Sequence, residues 1–295
     1  MMSRRKIIVG SRESKLAVIQ TKLVMNKIKE NNPDIELELV TMKTTGDKIL
    51  DRTLDKIGGK GLFVKELDEA LLEGRIDLSI HSLKDMPMQI PSSIPIVGLS
   101  DREDPRDVLI LKEGDNEIDY NLPIGTSSFR RRILIEDIYS GIKTDWIRGN
   151  LQTRLQKLDS GMFCGIILAA AGIKRLGLES RISRYFSTDE IIPPAGQGVL
   201  AIQGRLGDDY SYLECVNSLE SNYTSDAERE FVRTLDGGCS SPVAAYARVH
   251  GNEINIKGLY YNEKTQKYII GETSGDVLNR RKLGEALAIK LRSEG

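Results

Sequence analysis

Apolar and polar positions alternate along the first two hundred residues in a way that separates short strands from amphipathic helices. The run KIIVG at the start reads as a strand, and Ser14 to Glu30 as a helix with Leu16, Ile19 and Leu23 at helical spacing. IELELVTM alternates at period two, as a strand should. GLFVKELDEALLEG has the helical period and is closed by Gly74, and RIDLSIHS follows as a strand. After the charged, turn-rich link SDREDPRD the alternation restarts. LPIG leads into the helix TSSFRRRILIEDIY, then come the strand IKTDWI, the helix NLQTRLQKLDSG, and the buried strand CGIILAAAG running into another helix. Strand and helix in turn is the signature of α/β domains with largely parallel sheets.

The last portion changes character. SDAEREFVRTLDGG predicts a helix opened by a Ser225–Glu228 capping box, with Ala227, Phe231 and Leu235 along one face and Gly237 as its stop. Three strand-like runs follow, VAAYARV, EINIKGLYY and KYIIGET, and a closing helix covers Lys282 to Arg292. This is the order of a small α+β domain.

Composition narrows the possibilities. A chain of 295 residues has room for two or three domains, each with its own core. Its net charge of −1 gives no overall field toward nucleic acid or an anionic membrane, so affinity for anions must come from local arginine clusters. The apolar run Ile7 to Val9 is too short for a signal-peptide core, and no later stretch approaches a membrane span, so a cytoplasmic protein is expected. Cys164, Cys215 and Cys239 are far apart and odd in number, which fits a reducing compartment and argues against a disulfide framework or a metal site. No apolar surface stripe is evident, and a monomer is the default.

Candidate chemistry gathers at a few points. IIVGSRESK and LPIGTSSFRRR share one pattern: strand, glycine, small polar residues, then a helix start with arginine close by. The free N–H groups and dipole of such a helix start favour an anion. Arginines recur in loop or helix-start positions at Arg12, Arg130, Arg131, Arg132, Arg148, Arg154 and Arg175, of which Arg132 reads as a surface residue, and a guanidinium fork holds a carboxylate in bidentate fashion. Solvated helix faces are the bland reading for each of them alone. In HSLKDMP, Lys84 and Asp85 stand at the C-terminal end of a strand, where open α/β sheets bind ligands; a surface ion pair is the equally weighted alternative. Cys239 sits in TLDGGCSSPV, a loop by composition. The only histidines that could serve it as a base, His81 and His250, stand in no catalytic-cysteine context.

Taken together, GSRESKLA, TTGDK, GGKGLFVKELDEALLEGRIDLSIHSLKDMP, REDPRDVLI, IGTSSFRRR, IRGNLQTRLQKLD, ILAAAGIKRLGL, PPAGQGVLAIQ and LDGGCSSPVAAYA run in order over most of the chain. In this the sequence closely resembles the porphobilinogen deaminase family. The resemblance implies an enzyme that joins four porphobilinogen molecules head to tail into hydroxymethylbilane, releasing ammonia, and hands the product to a downstream tetrapyrrole enzyme. It implies a dipyrromethane cofactor tethered to Cys239 through a thioether, and Asp85 as the catalytic carboxylate. Cofactor contacts fall on Lys84, Thr126, Ser127, Ser128, Arg130, Arg131 and Asn150, and substrate contacts on Arg12, Ser14, Arg148, Arg154 and Arg175. Lys60 and Phe63 fall in a mobile glycine-rich segment. The implied fold is two α/β domains of the periplasmic-binding-protein type flanking a cleft, plus a small α+β C-terminal domain. Their boundaries are 1–102 with 196–217, 103–195, and 218–295. Gln203, where many members carry glutamate, Pro194 in place of a common alanine, and a third arginine, Arg132, depart from the family pattern.

Two other readings stand beside the transferase. Two α/β lobes around an anion site also describe a non-catalytic solute-binding protein, which the lack of an export signal and the Cys239 loop count against. A cysteine hydrolase would need a histidine partner that the sequence does not offer.

Overall fold

The computed structural model describes residues 6–48, 64–236 and 242–295. Lys60, Phe63 and Cys239 therefore lie outside the described residues. In chain order the elements are β1 (Lys6–Arg12), α1 (Lys15–Asn31), β2 (Glu36–Met42), α2 (Lys65–Leu72), β3 (Leu78–Ser82) and β4 (Ile96–Leu99). Next come β5 (Asp107–Leu111), β6 (Ile124–Gly125), α3 (Phe129–Ile138), β7 (Thr144–Asp145), α4 (Leu151–Asp159), β8 (Gly165–Ala169), α5 (Ala170–Arg175) and β9 (Arg184–Tyr185). The remainder is β10 (Leu200–Gly204), α6 (Leu219–Thr234), β11 (Ala244–His250), β12 (Glu253–Asn262), β13 (Lys267–Asp276) and α7 (Arg280–Glu294).

The chain forms two compact units, residues 1–102 with 199–222, and residues 103–198 with 223–295. The first unit holds a five-stranded sheet in the order β2-β1-β3-β10-β4. β1 runs parallel to β2 and β3, whereas β10, the strand that returns from far along the chain, is antiparallel to both its neighbours. The sheet is mixed where the alternating pattern predicts a largely parallel one, because β10 arrives by a long connection from outside the βαβ series. One sheet face packs Ile7, Val9, Leu78, Ile80, Leu200 and Ile202 against Val24 and Ile28 of α1. The other packs Ile8, Val40 and Met42 against Leu67, Ala70 and Leu71 of α2. Helix α1 spans the predicted residues but turns a different face inward. Ala17, Gln20, Thr21, Val24 and Ile28 are buried, while Leu23 is 48% exposed. The buried stripe includes Gln20 and Thr21, polar residues that an apolar-period reading passes over. Gly74 takes a left-handed φ of 71° just past α2, as a helix stop there requires.

The second unit repeats the scheme in the order β7-β6-β8-β5-β9, with β6 parallel to β7 and β8, and β5 antiparallel to β8 and β9. The strand predicted over 142–147 shrinks to Thr144–Asp145. Its C-terminal part is a three-stranded antiparallel meander, β11-β12-β13. Ala244 and Leu259 of this meander join one apolar cluster with Leu109, Ile124, Leu134, Ile167 and Phe186 of the α/β sheet. Tyr261 meets Phe129 edge to face at 5.3 Å between ring centroids, and the Tyr268 hydroxyl donates to Asp137.

The predicted start of α6 is displaced. The helix begins at Leu219, so Ser225 and Glu228 lie inside it, both buried, and form no capping box. The Glu228 carboxylate instead accepts from the backbone N–H of Gly196 (2.7 Å) and of Ala247 (2.9 Å). The hydrophobic face is as predicted at Ala227 and Phe231, both fully buried. Helix α7 crosses α6 so closely that a Cβ on Gly284 would stand 2.4 Å from the Ala227 carbonyl oxygen. Backbone cannot yield as a side chain can. Gly284→Ala is therefore expected to destabilise the second unit by about 3 kcal/mol, the upper part of the overpacking range, seen as a lowered chemical-denaturation midpoint. An unchanged midpoint would contradict the close approach.

Candidate functional site

In the first unit the candidate residues stand at the C-terminal ends of the adjacent strands β1 and β3. Arg12 is the last residue of β1, and Ser14 caps α1 by accepting from the Ala17 N–H at 3.3 Å. Past β3 the chain makes one tight helical turn, Leu83–Asp85. Leu83 and Met86 on either side are fully buried, and the Leu83 N–H donates to the Val199 carbonyl at 3.0 Å. These two apolar pegs fix the turn, so that Lys84 is half-buried and Asp85 is exposed. His81, within β3, is buried and hydrogen-bonded to the Ser79 hydroxyl at 2.8 Å. Burial first, and the positive charge of Arg12 second, hold its pKa down to about 4. His81 is thus neutral at physiological pH and adds no charge beside Arg12.

In the second unit, Thr126, Ser127 and Ser128 link β6 to α3. The Ser128 hydroxyl caps α3 through the Arg131 N–H, and the Ser128 N–H donates to the Thr126 hydroxyl at 3.2 Å. Ser127 donates its hydroxyl to the Ile147 carbonyl. Thr126 and Ser128 thus shape the loop through local hydrogen bonds, and Ser127 ties it to the chain at Ile147. Behind it, Arg130 and Arg131 are buried at 4% and 7% exposure, where the pattern of a helix start with arginine nearby suggests open forks. Both reach Asp107, the fully buried first residue of β5. Arg131 grips it through Nη2 (2.6 Å) and Nε (3.1 Å), and Arg130 through Nη2 (2.7 Å). Desolvation pushes the Asp107 carboxyl up, but the two guanidiniums outweigh it and leave the group ionised far below the usual carboxylate range.

The corner after β7 is built by its own helix. Gly149 has a left-handed φ of 118°, and the Asn150 side chain caps α4 by accepting from the Thr153 N–H at 2.9 Å. Arg154 Nε donates to the Gly149 carbonyl (2.9 Å) and Lys157 Nζ to the Arg148 carbonyl (3.0 Å). Arg148 and Arg154 thus share one corner, with the Asn150 oxygen committed to the cap. Arg175 closes α5 and donates to the Gly198 carbonyl at 2.6 Å. Burial draws its guanidinium down to about 10, against the pull of Glu103.

The structure therefore groups Arg12, Ser14, Lys84 and Asp85 in one unit, and Thr126, Ser127, Ser128, Arg130, Arg131, Arg148, Asn150, Arg154 and Arg175 in the other. Sequence reasoning passed over Asp107, Gln197 and the actual partners of Glu228. The available signal for Asp107 was an acid opening a strand whose five residues are all buried.

A family model described as porphobilinogen deaminase, dipyromethane cofactor binding domain, matches residues 7–212, and one described as porphobilinogen deaminase, C-terminal domain, matches residues 223–293. A porphobilinogen deaminase of Ruminiclostridium josui is 57% identical over 290 residues, covering 98% of this chain and 98% of the relative. One of Acetivibrio thermocellus is 58% identical over 289 residues, covering 98% and 97%. Among solved structures, the BenM effector binding domain with its effector benzoate overlays with a TM-score of 0.42 at 16% identity, covering 72% of this chain and 88% of that one.

His81 generates a pH dependence whose sign is fixed. Its folded pKa lies below the ordinary 6.5, so the unfolded chain takes up the proton first on acidification. Its contribution is complete above about pH 6.5 and is lost as pH falls toward 4, up to roughly 3 kcal/mol. Denaturation midpoints measured between pH 4 and 8 are expected to fall less steeply on the acid side in His81→Asn than in the parent. Parallel curves would refute this.

Proposed function

We propose a division of labour among these side chains that proceeds from one premise: the chain belongs to the porphobilinogen deaminase family. It is a transferase that polymerises four porphobilinogen molecules head to tail into hydroxymethylbilane with release of ammonia, and its cofactor is dipyrromethane. When bound, that cofactor supplies the pyrrole end to which the growing chain is attached.

The described residues fit such a group. A pyrrole carrying carboxylates needs cations that are already held in place, and behind the Thr126–Ser128 loop two guanidiniums face one carboxylate, a buried surplus of positive charge. This is the observation that carries the reading to the chain's own side chains. Arg130 and Arg131 supply charge from behind the loop, and their remaining N–H groups, with Lys84, Thr126, Ser127, Ser128 and Asn150, bind the cofactor. Arg12, Ser14, Arg148, Arg154 and Arg175 clamp the carboxylates of incoming porphobilinogen. Two forks on one corner, Arg148 and Arg154, suit a substrate with two such groups.

Asp85 is the catalytic carboxylate. Its exposed position on a pegged turn lets it accept from a substrate pyrrole N–H and stabilise the cation that develops as ammonia leaves. Cys239 is the tether, and Lys60 and Phe63 belong to the covering segment; these three lie outside the described residues. We keep the division into 1–102 with 196–217, 103–195 and 218–295; what supports its last part is that the meander β11-β12-β13 is a sheet of its own, although it packs in one compact unit with residues 103–198. Among the described residues no helix is long and apolar enough to cross a membrane. A monomer working in the cytoplasm and passing its labile product to a downstream tetrapyrrole enzyme completes the proposal.

Intact-mass measurement on protein made by cells able to form porphobilinogen is expected to show an adduct of two pyrrole units on the peptide holding Cys239. The bare polypeptide mass would sink the assignment. Asp85→Ala is expected to retain the parent's denaturation midpoint while tetrapyrrole formation falls by roughly a hundredfold or more, the scale of a lost charge-stabilising group. Parent-like turnover would remove Asp85 from its role.

A further inference from the structure

We propose that Asp107 is a positioning residue for this reaction: its buried carboxylate holds Arg130 and Arg131 side by side, so that their surplus charge is presented to the carboxylates of the cofactor. The proposal rests on the cofactor reading above.

Four donors saturate the carboxylate. Oδ1 accepts from Arg131 Nη2 (2.6 Å) and Gln197 Nε2 (2.9 Å), and Oδ2 from Arg130 Nη2 (2.7 Å) and Arg131 Nε (3.1 Å). Each partner is pinned a second time to a backbone carbonyl: Arg130 Nη1 to Ile192 (2.6 Å), Arg131 Nη1 to Ile167 (3.2 Å), and Gln197 Nε2 to Pro105 (2.6 Å). The main chain of Asp107 is fixed as well, by pairing with β8 opposite Ala169 and by accepting from the Phe186 N–H at 3.0 Å. Neither guanidinium can rotate without breaking bonds to two different segments of the chain.

Two arguments set this cluster apart from ordinary core cement. Arg130 and Arg131 occupy the first turn of α3, the positive end of the helix dipole, where cations are disfavoured and two of them repel. A buried ionic cluster is, moreover, a poor source of stability compared with apolar side chains of similar volume. An arrangement that is electrostatically adverse and still carries one cation in excess is explained by an anion that completes it. Asp107 lets the two cations lie together before that anion arrives. Gln197, a neutral donor, fills the fourth place on the carboxylate without cancelling the surplus.

The test compares the parent with Asp107→Asn and Asp107→Glu, each as full chain from cells able to form porphobilinogen. The readout is the fraction of folded, monodisperse protein that carries the two-pyrrole adduct, taken from intact mass, beside the denaturation midpoint. A merely structural role would lower the midpoint and the yield but leave the adduct fraction among folded molecules unchanged. We expect that fraction to fall on the order of tenfold in Asp107→Asn, the effect typical of removing a partner that orients a ligand, with partial rescue in Asp107→Glu. A parent-like adduct fraction in folded Asp107→Asn overturns the proposal. Should that variant not accumulate as folded protein, cofactor-free Asp107→Glu is mixed with porphobilinogen and adduct formation followed over time. Several-fold slower formation than in the cofactor-free parent supports the proposal, and an equal rate overturns it. Absence of adduct in the parent would instead overturn the cofactor reading itself.

Discussion

Two guanidinium groups lie in the interior of the second unit at the N-terminal end of a helix, and burying them there is the requirement around which that unit is arranged. Asp107 meets it, and to do so it must be the first residue of a strand lying between β8 and β9. The Ile167 and Ile192 carbonyls and the Gln197 side chain each take a share of the donors and acceptors. The loop over the clamp then needs only small polar residues that bond to nearby main chain and to one another, and Thr126, Ser127 and Ser128 supply them. Asp107 is consequently the member whose loss would leave two buried like charges with no counter-charge between them.

The first unit solves a related problem without burying charge. Asp85 faces solvent on a short turn, and the buried Leu83 and Met86 side chains anchor that turn on both sides. His81 contributes by staying neutral. A protonated imidazole beside Arg12 would add a competing charge near the strand ends, and burial together with Arg12 itself prevents that. Both units therefore use strand C-termini followed by a helical start, but one relies on apolar pegs and the other on an ionic clamp.

Much of this was legible in the sequence because local rules and tertiary structure agree. Ser14, Ser128 and Asn150 cap helices where their position after a strand suggested a polar helix start, and the motif spans fall on the expected elements. The failures have identifiable causes. The buried face of α1 is offset because Gln20 and Thr21 are inside, Gln20 bonding to Ser82 and Thr21 to the Ala17 carbonyl. Ser225 and Glu228 match a capping box in spacing, yet Glu228 is claimed by amides at Gly196 and Ala247, contacts no local pattern encodes. Arg130 and Arg131 look like surface forks because nothing nearby in sequence announces their counter-ion. Asp107 lies 23 residues before Arg130, on a different strand, and only the closed sheet brings it beneath them.

The position of β10 has a further consequence, for the order in which the chain can fold as it is made. It occupies the interior of the first unit's sheet, with Ile80 on one side and Gly98 on the other both paired to Ile202. While the chain is synthesised from its N-terminus, β3 and β4 are complete long before the strand that joins them exists. The first unit must therefore wait with two strand edges open, whereas all five strands of the second unit's α/β sheet fall within residues 107–185 and can close first. Long-range pairing of this kind is slow and leaves edges exposed. The sheet of the unit that carries the Leu83–Asp85 turn is in this sense the last of the two α/β sheets to be sealed, although that unit is the first to be translated.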